Sequence, residues 1–252
     1  MQVNKKGVKV NNKNLSWLTN TPIAHRGLWG KDIVENSLTA YQKAIDNGYP
    51  IEIDLFLTAD GHLVSFHDDN LKRMTGFDGL IYNQTISTIK SLRLNKTQQY
   101  IPTFEEVLQL VNGQVPLLIE LKDQPSKSYI QKVVERLKEY NGEFAIQSFN
   151  PLYIKKVKKL APNFAIGILG TDDKNIGKNF IIRYIVKNMP FNKSINPDFI
   201  SYRQTGLPLP FKKTKNRIVL AWTITDELQH KAVYKHCNNI IFEGFIPKKL
   251  DK

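Results

Sequence analysis

PIEIDLFLTADGHLVSFHDD (residues 50–69) sets Ile51, Ile53, Leu55 and Leu57 against Glu52, Asp54 and Phe56. Apolar residues at every second position mark a strand with two unlike faces, because successive side chains of a strand point to opposite sides. An edge strand with its acids in water would read this way. So would a barrel strand whose second face looks into the interior or its mouth. Asp60-Gly61 is a hairpin-type turn, which lets GHLVSFHD (61–68) fold back beside that strand.

Outward from this stretch, short apolar runs recur at PIAH (22–25), PLLIELK (116–122), FAIQSF (144–149), FAIGIL (164–169), DFISY (198–202), RIVLAWTI (217–224) and NIIFEG (239–244). Helical patterns lie between them: SLTAYQKAIDNG (37–48), TFEEVLQLVNG (103–113), SYIQKVVERLKEY (128–140), NPLYIKKVKKL (150–160) and DELQHKAVYKH (226–236). Thr103 stands three residues before Glu106, the spacing of a capping box. Gly48 and Gly113 can end helices in the left-handed region, and Asn150-Pro151 places a cap before a first-turn proline.

Eight strands separated by helices predict an α/β fold, a (β/α)8 TIM barrel. The expected organisation is a single barrel domain over residues 1–252. It has a polar lead-in (1–20) and a small insertion (68–102) after the second strand region. A second excursion, 170–197, contains the basic amphipathic segment NFIIRYIVKNM (179–189). A doubly wound sheet would need a glycine-rich phosphate loop after its first strand, and neither GxGxxG nor GxxxxGK[ST] occurs.

The 252 residues, 41% hydrophobic and 10% aromatic, suit one globular unit with a real core. No apolar run approaches the ~20 residues of a membrane span. The segment MQVNKKGVKVNNKN has charge but no apolar stretch after it, against a secretory signal. One cysteine, Cys237, cannot form an internal disulfide. These features lead to an expected cytoplasmic location. The formal net charge is +13. Much of it is scattered, as in Lys155-Lys156 and Lys158-Lys159, and reads as solvated surface. With no zinc-ligand spacing and no RNA-binding aromatic signature, a nucleic-acid partner is not expected. A phosphorylated small molecule fits the charge better.

Glu52 and Asp54 share one face of the second strand, Glu120 and Lys122 one face of the third, and His25-Arg26 close the first. All fall where barrel active sites are built, at the C-terminal ends of adjacent strands. Carboxylates gathered there repel one another and are costly to desolvate. Two resolutions are open: pairing with Lys122 or Arg26, or a shared divalent cation, with oxygen ligands suited to Mg2+ or Ca2+. His25 and His67 could exchange protons near neutrality. Arg26 could clamp an anion by a forked contact and Lys122 add a point charge. His62, His230 and His236 are expected to be structural.

The ordered motifs AHRG, VENSLTAYQKAIDNG and IEIDLFLTADGHLVSFHDDNLKRMTG, followed by IPTFEEVL, IELK, QSF and AWTI, resemble the glycerophosphodiester phosphodiesterase family over about residues 22–224. The resemblance implies a TIM barrel that uses a divalent metal to hydrolyse glycerophosphodiesters to glycerol 3-phosphate and an alcohol. Motif by motif, it makes His25 and His67 the catalytic pair and Glu52, Asp54 and Glu120 the metal ligands. Arg26 and Lys122 become phosphate contacts, and Glu35-Asn36 site-ordering residues. Trp222 and Phe149 fall to the pocket wall or the core. The family often ends its last strand with Thr-Asp and a following Pro. Here Glu243-Gly244 stands there, a departure expected to reshape the far rim of the pocket and so the substrate. Val34 stands where the family usually has Pro. Two alternatives remain on the sequence: a membrane-associated lysophospholipase D-like enzyme of the same fold, with weak peripheral membrane contact through 179–189, and a non-catalytic phosphodiester-binding barrel.

Overall fold

The computed structural model describes residues 13–176 and 179–248. The first 12 residues of the expected polar lead-in lie outside the described residues. Eight parallel strands run in the order β1 (Ile23–His25), β9 (Asn239–Phe242), β8 (Ile218–Ile224), β7 (Phe199–Arg203), β6 (Ala165–Gly170), β5 (Phe144–Ser148), β4 (Leu117–Leu121) and β2 (Ile51–Leu57). Pairing of β1 with β2 closes the ring into a (β/α)8 TIM barrel. The remaining strand, β3 (Leu63–Ser65), pairs antiparallel with the outer end of β2 through the Asp60-Gly61 turn, as the hairpin signal predicts.

The helices in chain order are α1 (Trp17–Asn20), α2 (Leu38–Asp46), α3 (Lys72–Thr75), α4 (Ile86–Ser91), α5 (Phe104–Val111), α6 (Tyr129–Lys138), α7 (Pro151–Leu160), α8 (Phe180–Asn188), α9 (Asn192–Ile195), α10 (Phe211–Thr214) and α11 (Glu227–Val233). Their starts follow from local chemistry. Thr103 Oγ1 accepts from Glu106 N, and Glu106 Oε2 accepts from Thr103 N, so the capping box of α5 is complete. Asn150 Oδ1 accepts from Leu152 N ahead of Pro151 in α7. Between β7 and β8 the connecting helix shrinks to the single turn of α10.

The period of two divides the strands between two environments. Ile51, Ile53, Leu55 and Leu57 join the main core under the helices, with residues such as Ile119, Ile146 and Val133. The inward faces form a second cluster, the barrel floor: Ile23, Leu118, Ala145, Ala165, Phe199, Leu220 and Ile241, met from below by Trp17 and Leu18 of α1. Two residues further along each strand, the same face carries His25, Glu120, Gln147, Gly167, Ser201, Trp222 and Glu243. The chain therefore changes from apolar to polar in one step up the barrel, which places the functional layer on an apolar base. A side chain at Gly167 would meet the Phe199 ring 2.2 Å from its Cβ, so the floor needs glycine there to admit the phenyl group.

Residues 68–102 wrap α3 and α4 over the β2–β3 hairpin. They add their own apolar cluster, in which Leu71, Met74, Ile81 and Ile89 pack against Phe56, Val64 and Phe66. No helix among the described residues is long and apolar enough to cross a membrane.

Candidate active site

The site begins where β1 ends. His25 is followed by Arg26 at φ 57° and Gly27 at φ 85°, two successive left-handed residues that turn the chain sharply. A Cβ at Gly27 would lie 2.8 Å from backbone and side-chain atoms of Ala40, so this turn packs directly on α2. Arg26 O accepts from Asn36 N at 3.0 Å, and Asn36 is itself left-handed at φ 51°. Two non-glycine residues in this sparsely populated region, bonded to each other, hold local strain that the surroundings must offset. The result is a fixed placement for four polar side chains: His25, Arg26, Glu35 and Asn36.

Glu52, Asp54 and Glu120 are all buried, and their carboxylate oxygens approach within 4.8 Å of one another. The register explains the convergence: His25 stands opposite Glu52 across β1–β2, and Asp54 opposite Glu120 across β2–β4. Glu52 Oε2 accepts from Arg26 N at 3.1 Å and lies 3.9 Å from His25 Nε2. Asp54 Oδ2 accepts from Asn36 Nδ2 at 2.9 Å and lies 3.6 Å from Arg26 Nε. Lys122 Nζ lies 2.9 Å from Glu120 Oε1 and 3.4 Å from Asp54 Oδ1.

Both resolutions of the acid cluster are thus visible in its surroundings. Arg26 and Lys122 do pair with the acids. Yet Arg26 also serves Glu35, through Nη1 at 2.8 Å, so three acids share less than two cations. Burial, then the charges of Asp54 and Glu120, push the Glu52 carboxyl well above its ordinary range. Asp54 stays below its ordinary value despite burial, held by Lys122, His67 and Arg26 and by the Asn36 hydrogen bond. Lys122 is raised, burial being outweighed by Glu120 and Asp54. Asp54 Oδ1 is buried without a hydrogen bond. An all-oxygen donor set, excess negative charge and an unsatisfied carboxylate oxygen are what a hard divalent cation would complete, and Glu52, Asp54 and Glu120 fit one.

His25 Nδ1 lies 2.5 Å from Glu243 Oε2. Glu243 is held below its ordinary value, burial being outweighed by the hydrogen bond and charge of His25. A carboxylate only accepts, so His25 carries its proton on Nδ1 and turns Nε2 toward Glu52. Burial depresses His25, against the opposing pull of Glu243. His67 has a parallel arrangement, with Nδ1 2.6 Å from Asp68 Oδ1. Asp68 lies below its ordinary value against partial burial, through hydrogen bonds from His67 and Arg73. Arg73, from the insertion, also donates to Glu35 through Nη2 at 2.7 Å. One guanidinium therefore ties the His67 loop to the Glu35–Arg26 pair.

These groups share one cavity of about 220 Å³, lined by His25, Arg26, Glu52, His67, Glu120, Lys122 and Trp222 among others. All nine site residues expected from the sequence are placed together, since Phe149 lines it as well and Asp54 underlies the acid cluster. Phe149 and Trp222 stack edge to face with centroids 5.6 Å apart and form the apolar wall. Trp222 Nε1 is buried with no hydrogen-bond partner among the described residues, a donor left for a ligand.

Sequence reasoning missed Glu243, Gln147 and Arg73 as site residues. Glu243 was expected at the substrate rim; it contacts His25 Nδ1 instead. Its signal was its position, two residues after the inward Ile241 on the strand that closes the barrel beside β1. Gln147 could have been found in the same way, two residues after Ala145. It accepts from Ser201 Oγ at 2.6 Å across the interior. Nothing local in LKRMTG points to Arg73, whose role depends on how the insertion folds back.

The profile of the glycerophosphoryl diester phosphodiesterase family matches residues 25–247. A glycerophosphodiester phosphodiesterase from Caldanaerobacter subterraneus is 35% identical over 160 residues, 58% of this chain and 65% of that protein. One from Bacillus altitudinis is 31% identical over 162 residues, 59% of this chain and 66% of that protein. The chain thus spans just under two thirds of the length of these curated relatives. Among solved structures, a phosphodiesterase from Oleispira antarctica in complex with the product sn-glycerol-3-phosphate superposes with a TM-score of 0.73. The two share 27% identity over 90% of this chain and 93% of that one.

Proposed function

The chain belongs to the glycerophosphoryl diester phosphodiesterase family, and from that membership we propose that it hydrolyses glycerophosphodiesters to glycerol 3-phosphate and an alcohol. The observation that carries this reading is the convergence of Glu52, Asp54 and Glu120 within 4.8 Å in the layer that also holds His25, His67, Arg26 and Lys122. Glu52, Asp54 and Glu120 would hold the cation, and Mg2+ or Ca2+ suits their oxygens. Bound there, a divalent ion supplies Lewis-acid charge for phosphoryl oxygens.

The chain's own groups do the rest. Arg26 and Lys122 line the cavity and bring fixed positive charge to the non-bridging oxygens, where negative charge grows in the transition state. Glu35 holds the Arg26 guanidinium in place, and Arg73 holds Glu35. One imidazole accepts the proton of the attacking oxygen as it bonds to phosphorus. The other donates a proton to the alcohol oxygen as its P–O bond breaks. The net change adds water across that bond, so each turnover leaves the imidazoles in exchanged protonation states, and solvent restores them. Glu243 and Asp68 fix the Nδ1–H tautomers and leave each Nε2 for the transfer. Phe149 and Trp222 exclude water from one side. A cytoplasmic location, expected from the composition, belongs to the same proposal.

The test is release of glycerol 3-phosphate from a panel of glycerophosphodiesters. Turnover should vanish with EDTA and return with Mg2+ or Ca2+. Full activity after rigorous chelation removes the metal assignment, and no release under any metal removes the function.

An apolar groove favours a second reading. Beside the catalytic cavity lies a space of about 730 Å³ that touches His67, Glu120 and Lys122 at one end and Leu152, Ile182, Ile185, Val186 and Phe191 at the other. That is the shape of a site for a phosphodiester carrying one acyl chain, a lysophospholipid. A chain-length series decides it: kcat/KM should climb as methylenes are added until the groove is filled. A flat or falling series leaves the water-soluble diesters as the substrates.

A further inference from the structure

A helix laid against a barrel normally turns its apolar stripe inward and its polar face to water. α8 does only the first. Its inner side, Ile182, Ile185 and Val186, walls the groove. Its outer side carries Phe180 and Tyr184, four residues apart, with Arg183 and Lys187 beside them. Phe180 is 72% exposed and Tyr184 59%. Neighbouring α10 repeats the pattern in one turn: Phe211, 75% exposed, precedes Lys212 and Lys213. The two helices meet where Lys213 Nζ donates to Lys187 O at 3.5 Å. Partial burial and the nearby Lys212 and Lys187 charges lower Lys213, so these cations stand close enough to disfavour one another. Neither helix contains an acidic residue.

Aromatic rings interleaved with mutually repelling cations, without an acid among them, match the boundary of an anionic lipid layer. There hydrocarbon lies beneath negative headgroups, rings sit at the headgroup level and basic side chains meet phosphates. Of the residues lining the groove, Leu152, Ile182 and Phe191 are exposed, so it is reached from solvent beside α8. An amphiphile leaving such a layer would enter tail-side at α8 and reach His67 and Lys122 with its phosphate. We propose that α8 and α10 dock the protein on an anionic lipid surface, with Phe180, Tyr184 and Phe211 inserted among the headgroups and Arg183, Lys187, Lys212 and Lys213 contacting phosphates. The docking itself requires no turnover; its use in delivering substrate rests on the phosphodiesterase reading.

The test is co-sedimentation of the full chain with phosphatidylcholine vesicles made with and without phosphatidylglycerol, over a salt series, beside hydrolysis of a water-soluble glycerophosphodiester. The protein should pellet with anionic vesicles at low salt and stay in solution with neutral ones. Raising the salt should release it as the Debye length falls to about 8 Å at 0.15 M and below. Phe180→Ser/Tyr184→Ser and Lys212→Glu/Lys213→Glu should each weaken partitioning by about tenfold or more. Both should keep wild-type turnover of the soluble diester, because these residues lie outside the catalytic cavity. Vesicle binding with no turnover of any diester supports the docking and removes the phosphodiesterase reading. Three results would overturn the docking. The wild type could fail to pellet at low salt. Both variants could pellet as well as the wild type. Or a concentration-dependent dimer could form that Phe180→Ser/Tyr184→Ser dissolves, with no vesicle binding, which would make this face an interface between copies.

Discussion

His25 Nδ1 and Glu243 Oε2 stand 2.5 Å apart, linking the end of the first barrel strand to the residue after the last. The carboxylate fixes which imidazole nitrogen is protonated and raises His25 against the burial that lowers it. Glu243→Gln keeps the shape but presents a neutral partner that can also donate. His25 then falls further below its ordinary value and loses its enforced tautomer. We expect kcat to drop about tenfold to a hundredfold, a share of the ~10²–10⁴ that general acid–base catalysis supplies, with KM little changed. Whichever limb of the pH–rate profile His25 sets should move to lower pH. A full pH profile of the variant checks this, and an unmoved profile would assign Glu243 to structure alone.

His25→Ala and His67→Ala should each lower kcat/KM by at least about a hundredfold while leaving the barrel folded. The side chain of His67 is 33% exposed and its substitution removes little core. The His25 side chain is more enclosed, so some loss of thermal stability is expected from that variant. Circular dichroism melts beside initial rates separate the two effects. Retained turnover in either variant would remove that imidazole from the proton-transfer pair.

Cation binding should be coupled to proton release. Glu52 is pushed well above its ordinary range by burial and by Asp54 and Glu120, so the cation-free cluster holds protons more tightly than free carboxylates do. A ligating carboxylate must give its proton up. Affinity for Mg2+ or Ca2+ should therefore rise with pH toward the raised Glu52 value, and binding heats should vary with the ionisation enthalpy of the buffer. Added cation should also raise Tm, by mass action about 2.7 kcal/mol of stabilisation at a hundred times Kd. Glu120→Gln should blunt the Tm response. Titration calorimetry in two buffers is the measurement; heats that ignore the buffer would mean that no proton leaves.

Much of this site could be read from strand parity. Glu52 and Asp54 share a face opposite Ile51, Ile53 and Leu55, and a closed barrel has one place for such a face to point. His25, Glu120 and Lys122 followed because they end neighbouring strands. The same rule reaches Gln147 and Glu243, because each stands two residues beyond an apolar floor residue. Glu243 escaped because its meaning depends on β9 lying beside β1, a closure between residues far apart in the chain. Arg73 could not be read at all: it enters from the insertion, where apolar packing of Leu71 and Met74 sets its direction. The outward aromatics of α8 were legible as a basic amphipathic segment, but which face stayed bare depended on where the barrel lay.

Asn36 joins the strained first turn to the acid cluster, and its removal should expose that link. Its Nδ2 donates to Asp54 Oδ2 at 2.9 Å, while its Oδ1 accepts from Tyr41 OH at 2.8 Å. Tyr41 OH in turn meets Ser65 Oγ at 2.6 Å. Asn36→Ala removes these two bonds and the longer one from Ser65 Oγ to Asn36 Oδ1, at 3.4 Å, and places alanine at φ 51°, a region asparagine tolerates better. Stability should fall by about 2–4 kcal/mol, from the unsatisfied partners and the strained backbone together. Asp54 loses the bond that orients it, so cation affinity should weaken by about tenfold to a hundredfold, as for other groups that position metal ligands. Asn36→Asp tests the two contributions separately. It keeps a residue suited to the left-handed turn but sets a second acid against Asp54, so it should recover part of the fold's stability and none of the activity. Chemical denaturation and cation titration of both variants measure this, and equal activity in Asn36→Asp and the wild type would refute the positioning role.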